Sequence, residues 1–236
     1  MLTAKWETHP IHGRHSGAWL YLDEVMHRII NDYALMLSTV RLASTRVSDA
    51  QSGQVLNELS TRLHAAATTF RVLSPPLDPA PRRLDAELET LCRTLTSTLL
   101  AKSAIRLALI AKPVCVDARQ CWKISLVVSE LITNAARHAF HDREGGSIVV
   151  ELSVEAGIVR CAVIDNGTAP VMIAPGRGSS ILEAIAAEVG GTIVRNHTRS
   201  GSAVALLLPL GEAADLQDQC SLSMTGGFHD QHKIVE

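Results

Sequence analysis

Apolar residues recur at three- and four-residue steps through Leu22, Met26, Ile29, Tyr33, Met36, Leu37 and Val40, which predicts an amphipathic helix over roughly Gly17–Ala43. Turn formers in Ser44–Gln54 then break the pattern. A second helix follows with a heptad seam of Leu56, Leu59, Leu63, Ala66, Phe70 and Leu73. Two helices joined by a short loop make an antiparallel hairpin. One stripe per helix leaves apolar side chains such as Val25 and Ile30 uncovered. Two copies can cover them by forming a symmetric four-helix bundle. Packing of the hairpin on the C-terminal part of its own chain is the competing solution.

Leu73–Pro81 has four prolines in nine residues, which predicts a stiff linker and a domain boundary. Beyond it the periodicity alternates. Helical patterns cover about Leu84–Ser103, Ala118–Ala139 and Ser180–Val189. Strand-like runs fall at Ile105–Leu109, Ser147–Val154, Ile158–Ile164, Thr192–His197 and Ala203–Leu208. Helices segregated against a mixed sheet give an α+β fold, a two-layer α/β sandwich preceded by the hairpin. The expected organisation is a flexible leader over 1–16, a hairpin over 17–74, a sandwich domain over 82–210 and a loosely ordered tail over 211–236. The leader carries His9, His12 and His15 without periodicity; their three-residue spacing can ligate a metal, and a flexible, partly ordered leader is the favoured reading.

Composition narrows the function. Of 236 residues, 47% are hydrophobic, so a packed core is expected, and the net charge of -2 disfavours a general nucleic-acid surface. Aromatics at 3% argue against a base-stacking platform for single strands. The five cysteines form no CxxC pair, which suits reduced thiols and a cytoplasmic protein. No apolar run approaches the ~18 residues that span a bilayer, so direct membrane insertion is not expected.

Three short segments carry candidate chemistry. Glu130, Asn134, Arg137 and His138 are spaced i, i+4, i+7 and i+8, which places them on about one face of the second sandwich helix. A carboxylate and a carboxamide one turn apart suit a hard cation bound through oxygen. Asp165-Asn166-Gly167 ends an apolar strand, where an acid can accept a hydrogen bond from an exocyclic amine. Gly176-Arg177-Gly178 precedes a helix, whose N-terminal amides favour phosphate.

In this order and spacing the segments resemble the ATP-binding domain of histidine kinases, the Bergerat-type GHKL fold shared with chaperone and mismatch-repair ATPases. Glu130 to Ala139 is similar to that family's N box, Asp165–Gly167 to its first glycine box and Gly176–Gly178 to its second. Gly190–Thr192 and Gly201–Ala203 fall where the family enters its last two strands. The likeness covers roughly residues 84–210. On the first hairpin helix, Glu24 to Asp32 resembles the phosphoacceptor segment of the HWE-related sensor kinases, with His27-Arg28 and Asn31 in the recurring pattern. Independently, at ~100° per residue His27 lies about 130° from the centre of the apolar stripe and faces solvent.

The resemblance implies a cytoplasmic two-component histidine kinase that moves the ATP γ-phosphate to His27 and then to an Asp of a response regulator receiver domain. It implies catalytic roles for His27 and Glu130, nucleotide contacts from Asn134, Arg137, His138, Asp165, Gly167 and Gly178, and Mg²⁺ held by Asn134. It also implies a homodimer. The chain departs from the family pattern at Ala169, where a second glycine is usual, and at Ile30 and Asp32, where lysine and asparagine are common. A second reading therefore stands beside the first, a phosphotransfer or adaptor protein that relays phosphate between regulators with a degenerate nucleotide pocket. A third, a GHKL ATPase or a serine kinase of the anti-sigma type, does not account for the hairpin that carries His27.

Overall fold

The computed structural model describes residues 17–76, 78–141, 145–168, 177–198, 200–209 and 233–235. The proposed leader, Gly176, Ala169 and nearly all of the tail lie outside them.

Helix α1 spans Gly17–Ser44 and α2 spans Ala50–Val72. The second helix starts inside the segment expected to be irregular because Asp49 caps it, accepting the Ser52 N–H at 2.8 Å. Within the hairpin Tyr33 packs on Phe70 with ring centroids 5.5 Å apart. The expected stripe faces inward except at Met36 and Leu59, which are exposed. Val25 and Ile30 are half-buried rather than uncovered. The uncovered apolar side chains are instead Tyr21 (72% exposed), Leu35 (66%), Leu42 and Val55 (60%). Among the described hairpin residues only Ala67 is fully buried.

The sandwich begins with a two-residue strand, β1 (Arg82–Arg83), paired antiparallel to β3 (Cys115–Val116). This small clamp fixes the start of α3 (Leu84–Thr98), whose first amide, Leu84 N–H, donates to the Val114 carbonyl at 2.8 Å. The helix ends five residues earlier than expected. Thr96, Ser97 and Thr98 turn their hydroxyls back onto the Cys92 and Thr94 carbonyls, the habit that makes such residues poor helix continuers. Next come β2 (Ala104–Ala111), α4 (Ala118–His138), β4 (Gly145–Glu155), β5 (Ile158–Asp165), α5 (Arg177–Glu188), β6 (Thr192–Thr198), β7 (Gly201–Pro209) and β8 (Lys233–Val235). Helix α4 is capped by Asp117, which accepts the Arg119 N–H at 2.9 Å.

The main sheet runs β6-β7-β5-β4-β2-β8, with β2 and β4 parallel and the other pairs antiparallel. Strand β8 lies in the stretch expected to be a loose tail; its three residues add an edge beside β2. Helices α3, α4 and α5 cover one face. Leu88, Leu91, Ile124, Val128 and Ile132 from the helices meet Ile148, Leu152, Val159 and Leu206 from the strands, all at or near zero exposure. The far face carries the Arg160–Glu151 ion pair at 2.8 Å and exposed Ile110 and Val194. The α+β, two-layer expectation therefore holds. Among the described residues no helix is long and apolar enough to cross a membrane.

The hairpin also packs on its own sandwich. Glu58 accepts from Lys102 Nζ at 3.0 Å, and Trp122 Nε1 donates to the Leu73 carbonyl at 2.8 Å.

Cys92, Cys121 and Cys161 are free and buried, and burial pushes each thiol from its ordinary 9.0 up to about 12. Cys115 is disulfide-bonded, against the reading that all five cysteines are reduced. The folded chain holds its three thiol protons to about 12 while an unfolded chain loses them above about 9. Their contribution to stability is therefore complete below pH 9 and falls as pH rises over that window. At pH 8, peptide mapping after treatment with a thiol reagent should show these three unmodified in the native protein and modified in denaturant. Rapid native labelling of any of them would contradict their burial.

Candidate nucleotide site

The end of α4 and the end of β5 are stitched together. The last residues of α4 close with Ala139 N–H on the Ala135 carbonyl, and the Ala139 carbonyl accepts the Thr168 N–H at 2.9 Å. Asn166 exchanges two bonds with Ser147 of β4, donating its N–H to the carbonyl at 3.2 Å and accepting the Ser147 N–H on Oδ1 at 2.8 Å. This continues the ladder one residue past β5 and drives the chain beneath α4. Gly167 is buried there, and a Cβ on it would lie 2.0 Å from the Ala139 carbonyl oxygen. Its value is close approach to the helix end, not an unusual φ. Gly201, at the start of β7, adopts φ +146° and closes on the end of β5, where a Cβ would lie 2.1 Å from the Asp165 carbonyl oxygen.

Asp165 is 8% exposed, and its Oδ1 accepts the Gly167 N–H at 3.0 Å, which fixes the carboxylate's orientation. It opens into a hollow of about 90 Å³ whose walls are apolar (Leu131, Ala135, Val163, Val204) and whose polar groups are Asn134, His138, Asp165, His197 and Ser202. Asn134 and Asp165, 31 positions apart in sequence, thus share one small cavity.

The four polar residues of α4 do not share one site. On a helical wheel the hollow's α4 residues lie within ~0–100° on one side of Asn134, whereas Glu130 lies ~40° and Arg137 ~60° to the other side. Arg137 lines a different hollow, with Thr133 and with Thr69, Phe70 and Leu73 of the hairpin and Leu95 of α3. The resemblance implied a nucleotide contact from Arg137 as from His138; the structure places Arg137 at the seam between hairpin and sandwich. Glu130 is half-buried and does not line the nucleotide-side hollow. Gly178 falls in the first turn of α5, so that helix starts three residues before the expected Ser180. His27 is exposed on α1 near Glu24, whose Oε1 accepts from Arg28 Nε at 2.7 Å; no α1 residue lines the hollow. Sequence reasoning missed His197 and Ser202 as lining residues.

Two family models match the chain, one described as a histidine kinase over residues 24–99 and one as a histidine kinase-like ATPase domain over residues 93–206. The two matched regions together make up a histidine kinase core. That core is of the HWE-related sensor kind, as the His27 segment implied. Blue-light-activated histidine kinase 2 of Erythrobacter litoralis is 29% identical over 153 residues, 62% of this chain and 43% of that protein. Sensor histidine kinase PdtaS of Mycobacterium tuberculosis is 23% identical over 201 residues, 82% of this chain and 40% of its own length. The chain thus spans under half the length of these curated relatives. The solved histidine kinase domain of the Erythrobacter litoralis EL346 blue-light kinase superposes with a TM-score of 0.56 at 25% identity, covering 85% of this chain and 97% of that one.

Gly167→Ala is expected to destabilise the sandwich by about 3 kcal/mol, the upper range for overpacking, because the new methyl meets a fixed backbone carbonyl. Urea unfolding of the two proteins measures this, and an unchanged midpoint would show that the loop has room to move.

Proposed function

We propose that the protein is a dimeric, cytoplasmic histidine kinase that binds Mg²⁺–ATP in the Asn134–Asp165 hollow, phosphorylates His27 and passes the phosphoryl group to an Asp of a response regulator. The observation that carries this reading is the convergence of Asn134 and Asp165 on one apolar-walled hollow in a chain whose first helix exposes His27. Asp165, buried and oriented by Gly167, suits the exocyclic amine of adenine, while Leu131, Val163 and Val204 suit its faces.

Asn134 is an oxygen donor fit for Mg²⁺, and among the described residues no cluster of three or more His, Cys, Asp or Glu side chains could hold a metal alone. The ion would therefore be completed by phosphate and water, and when bound it would neutralise charge developing on the phosphates. The imidazole of His27 attacks the γ-phosphorus, the N–P bond forms as the bond to the β–γ bridging oxygen breaks, and ADP leaves. Glu130 would position the imidazole and accept its proton, on whichever protomer brings the two together. His138 would meet the phosphates from the end of α4, and Gly178 would let the start of α5 approach them; Arg137, at the hairpin seam, would act there instead.

The dimer is supported by the exposed stripe Tyr21, Leu35 and Leu42 with Val55, on a hairpin that buries so little by itself. A Leu35→Glu, Leu42→Glu double variant is expected to sediment as a monomer while retaining its helix content. A dimer that survives this change would place the interface elsewhere.

The kinase and relay readings separate on the phosphate source. With Mg²⁺–ATP alone the kinase acquires acid-labile phosphate and then loses it to an added receiver domain. A relay acquires phosphate only from a receiver that is already phosphorylated.

A further inference from the structure

Three strands place three polar side chains in one line that runs from the buried floor of the hollow to its mouth. Asp165 on β5 is the register partner of Ser202 on β7, and Ser202 is the partner of His197 on β6. All three line the hollow. The face of β6 that carries His197 is the one turned to the helices. Ile193, four residues back, packs on the core, and Arg195, two residues back, reaches Glu183 of α5 at 3.0 Å. His197 is thus the last residue of an inward-facing row, placed where the core gives way to open space, and it is exposed.

We infer that His197 is a base-contacting residue of the nucleotide site and packs its imidazole ring against the purine. This rests on the reading of the hollow as an ATP site. Adjacent strands are ~4.8 Å apart, so His197 stands about two spacings, ~10 Å, from Asp165 along the row. A purine whose amine meets Asp165 must run over Ser202 toward β6, because Val163 and Leu131 close the inner side. The flat side chain at that end of the row is an imidazole, which offers a ring face to stack on. The residue therefore contributes binding that is equal before and during phosphoryl transfer, and it takes no part in the chemistry.

The test measures ATP affinity and autophosphorylation kinetics of the full chain with Mg²⁺, comparing wild type with His197→Ala, His197→Phe and His197→Gln. The Ala variant is expected to weaken ATP binding about tenfold, the size of a lost base–aromatic stack, with kcat unchanged and the same melting temperature. Phe is expected to restore affinity and Gln to fail. Wild-type affinity in the Ala variant would overturn the inference, and so would rescue by Gln in place of Phe, which would make the contact a hydrogen bond. A wild-type protein that binds no ATP would overturn the kinase reading itself and this inference with it.

Discussion

Asp165→Ala is expected to weaken ATP binding by about a hundredfold, the loss that follows when a charged acceptor no longer meets a ligand's donor. The carboxylate is buried at the floor of the hollow, so a ligand amine that has left water must find its partner there or none. The Ala variant also deprives the Gly167 N–H of its acceptor, which could disturb the loop. Asp165→Asn separates the two effects. It keeps an oxygen for Gly167 but loses the negative charge and presents an amide N–H₂ to the ligand. The Asn variant should keep the wild-type melting temperature and still bind ATP poorly, as read by calorimetry with Mg²⁺ present. ATP binding within twofold of wild type in that variant would remove Asp165 from the ligand.

The longer elements of the sandwich were legible because each carries a clear period. The start of α4 was read from its periodicity alone, and the structure shows Asp117 capping it there. The early end of α3 was hidden by its apolar pattern, since Leu99 and Leu100 continue the periodicity and only the Thr96–Thr98 hydroxyls break it. The clamp of β1 on β3 left no trace, because two residues are too few to show alternation. The same limit hid β8.

At the site, Asn134, His138, Asp165 and Gly167 stood out in short segments whose nucleotide roles came from the family resemblance; the structure brings the first three to one hollow and bonds Gly167 to Asp165. Arg137 was misplaced because a face defined by i, i+4, i+7 and i+8 spans ~100° of arc, and here the boundary between two hollows falls within it. His197 and Ser202 were missed because their membership depends on register across β5, β7 and β6. Parity along β6 was the available signal: Ile193 is apolar and inward, and His197 shares its face. On the hairpin the sequence named the inner stripe well, but it assigned the outer apolar face to Val25 and Ile30. The exposed residues Tyr21, Leu35 and Leu42 recur instead at multiples of seven, a second seam on the same helix.

His27→Gln is expected to abolish phosphorylation entirely. The side chain is exposed on α1 beside the Glu24–Arg28 pair, so its replacement should cost little stability. Glutamine keeps polarity and approximate size but has no ring nitrogen to form the N–P bond. The variant should remain a dimer and bind ATP as the wild type does, which isolates the loss to the phosphoryl acceptor. The most direct measurement incubates wild type and His27→Gln with γ-labelled ATP and Mg²⁺, then treats both with acid and with alkali. The account predicts label on the wild type alone, lost in acid and retained in alkali. Label that persists on His27→Gln, or wild-type label that survives acid, would contradict it.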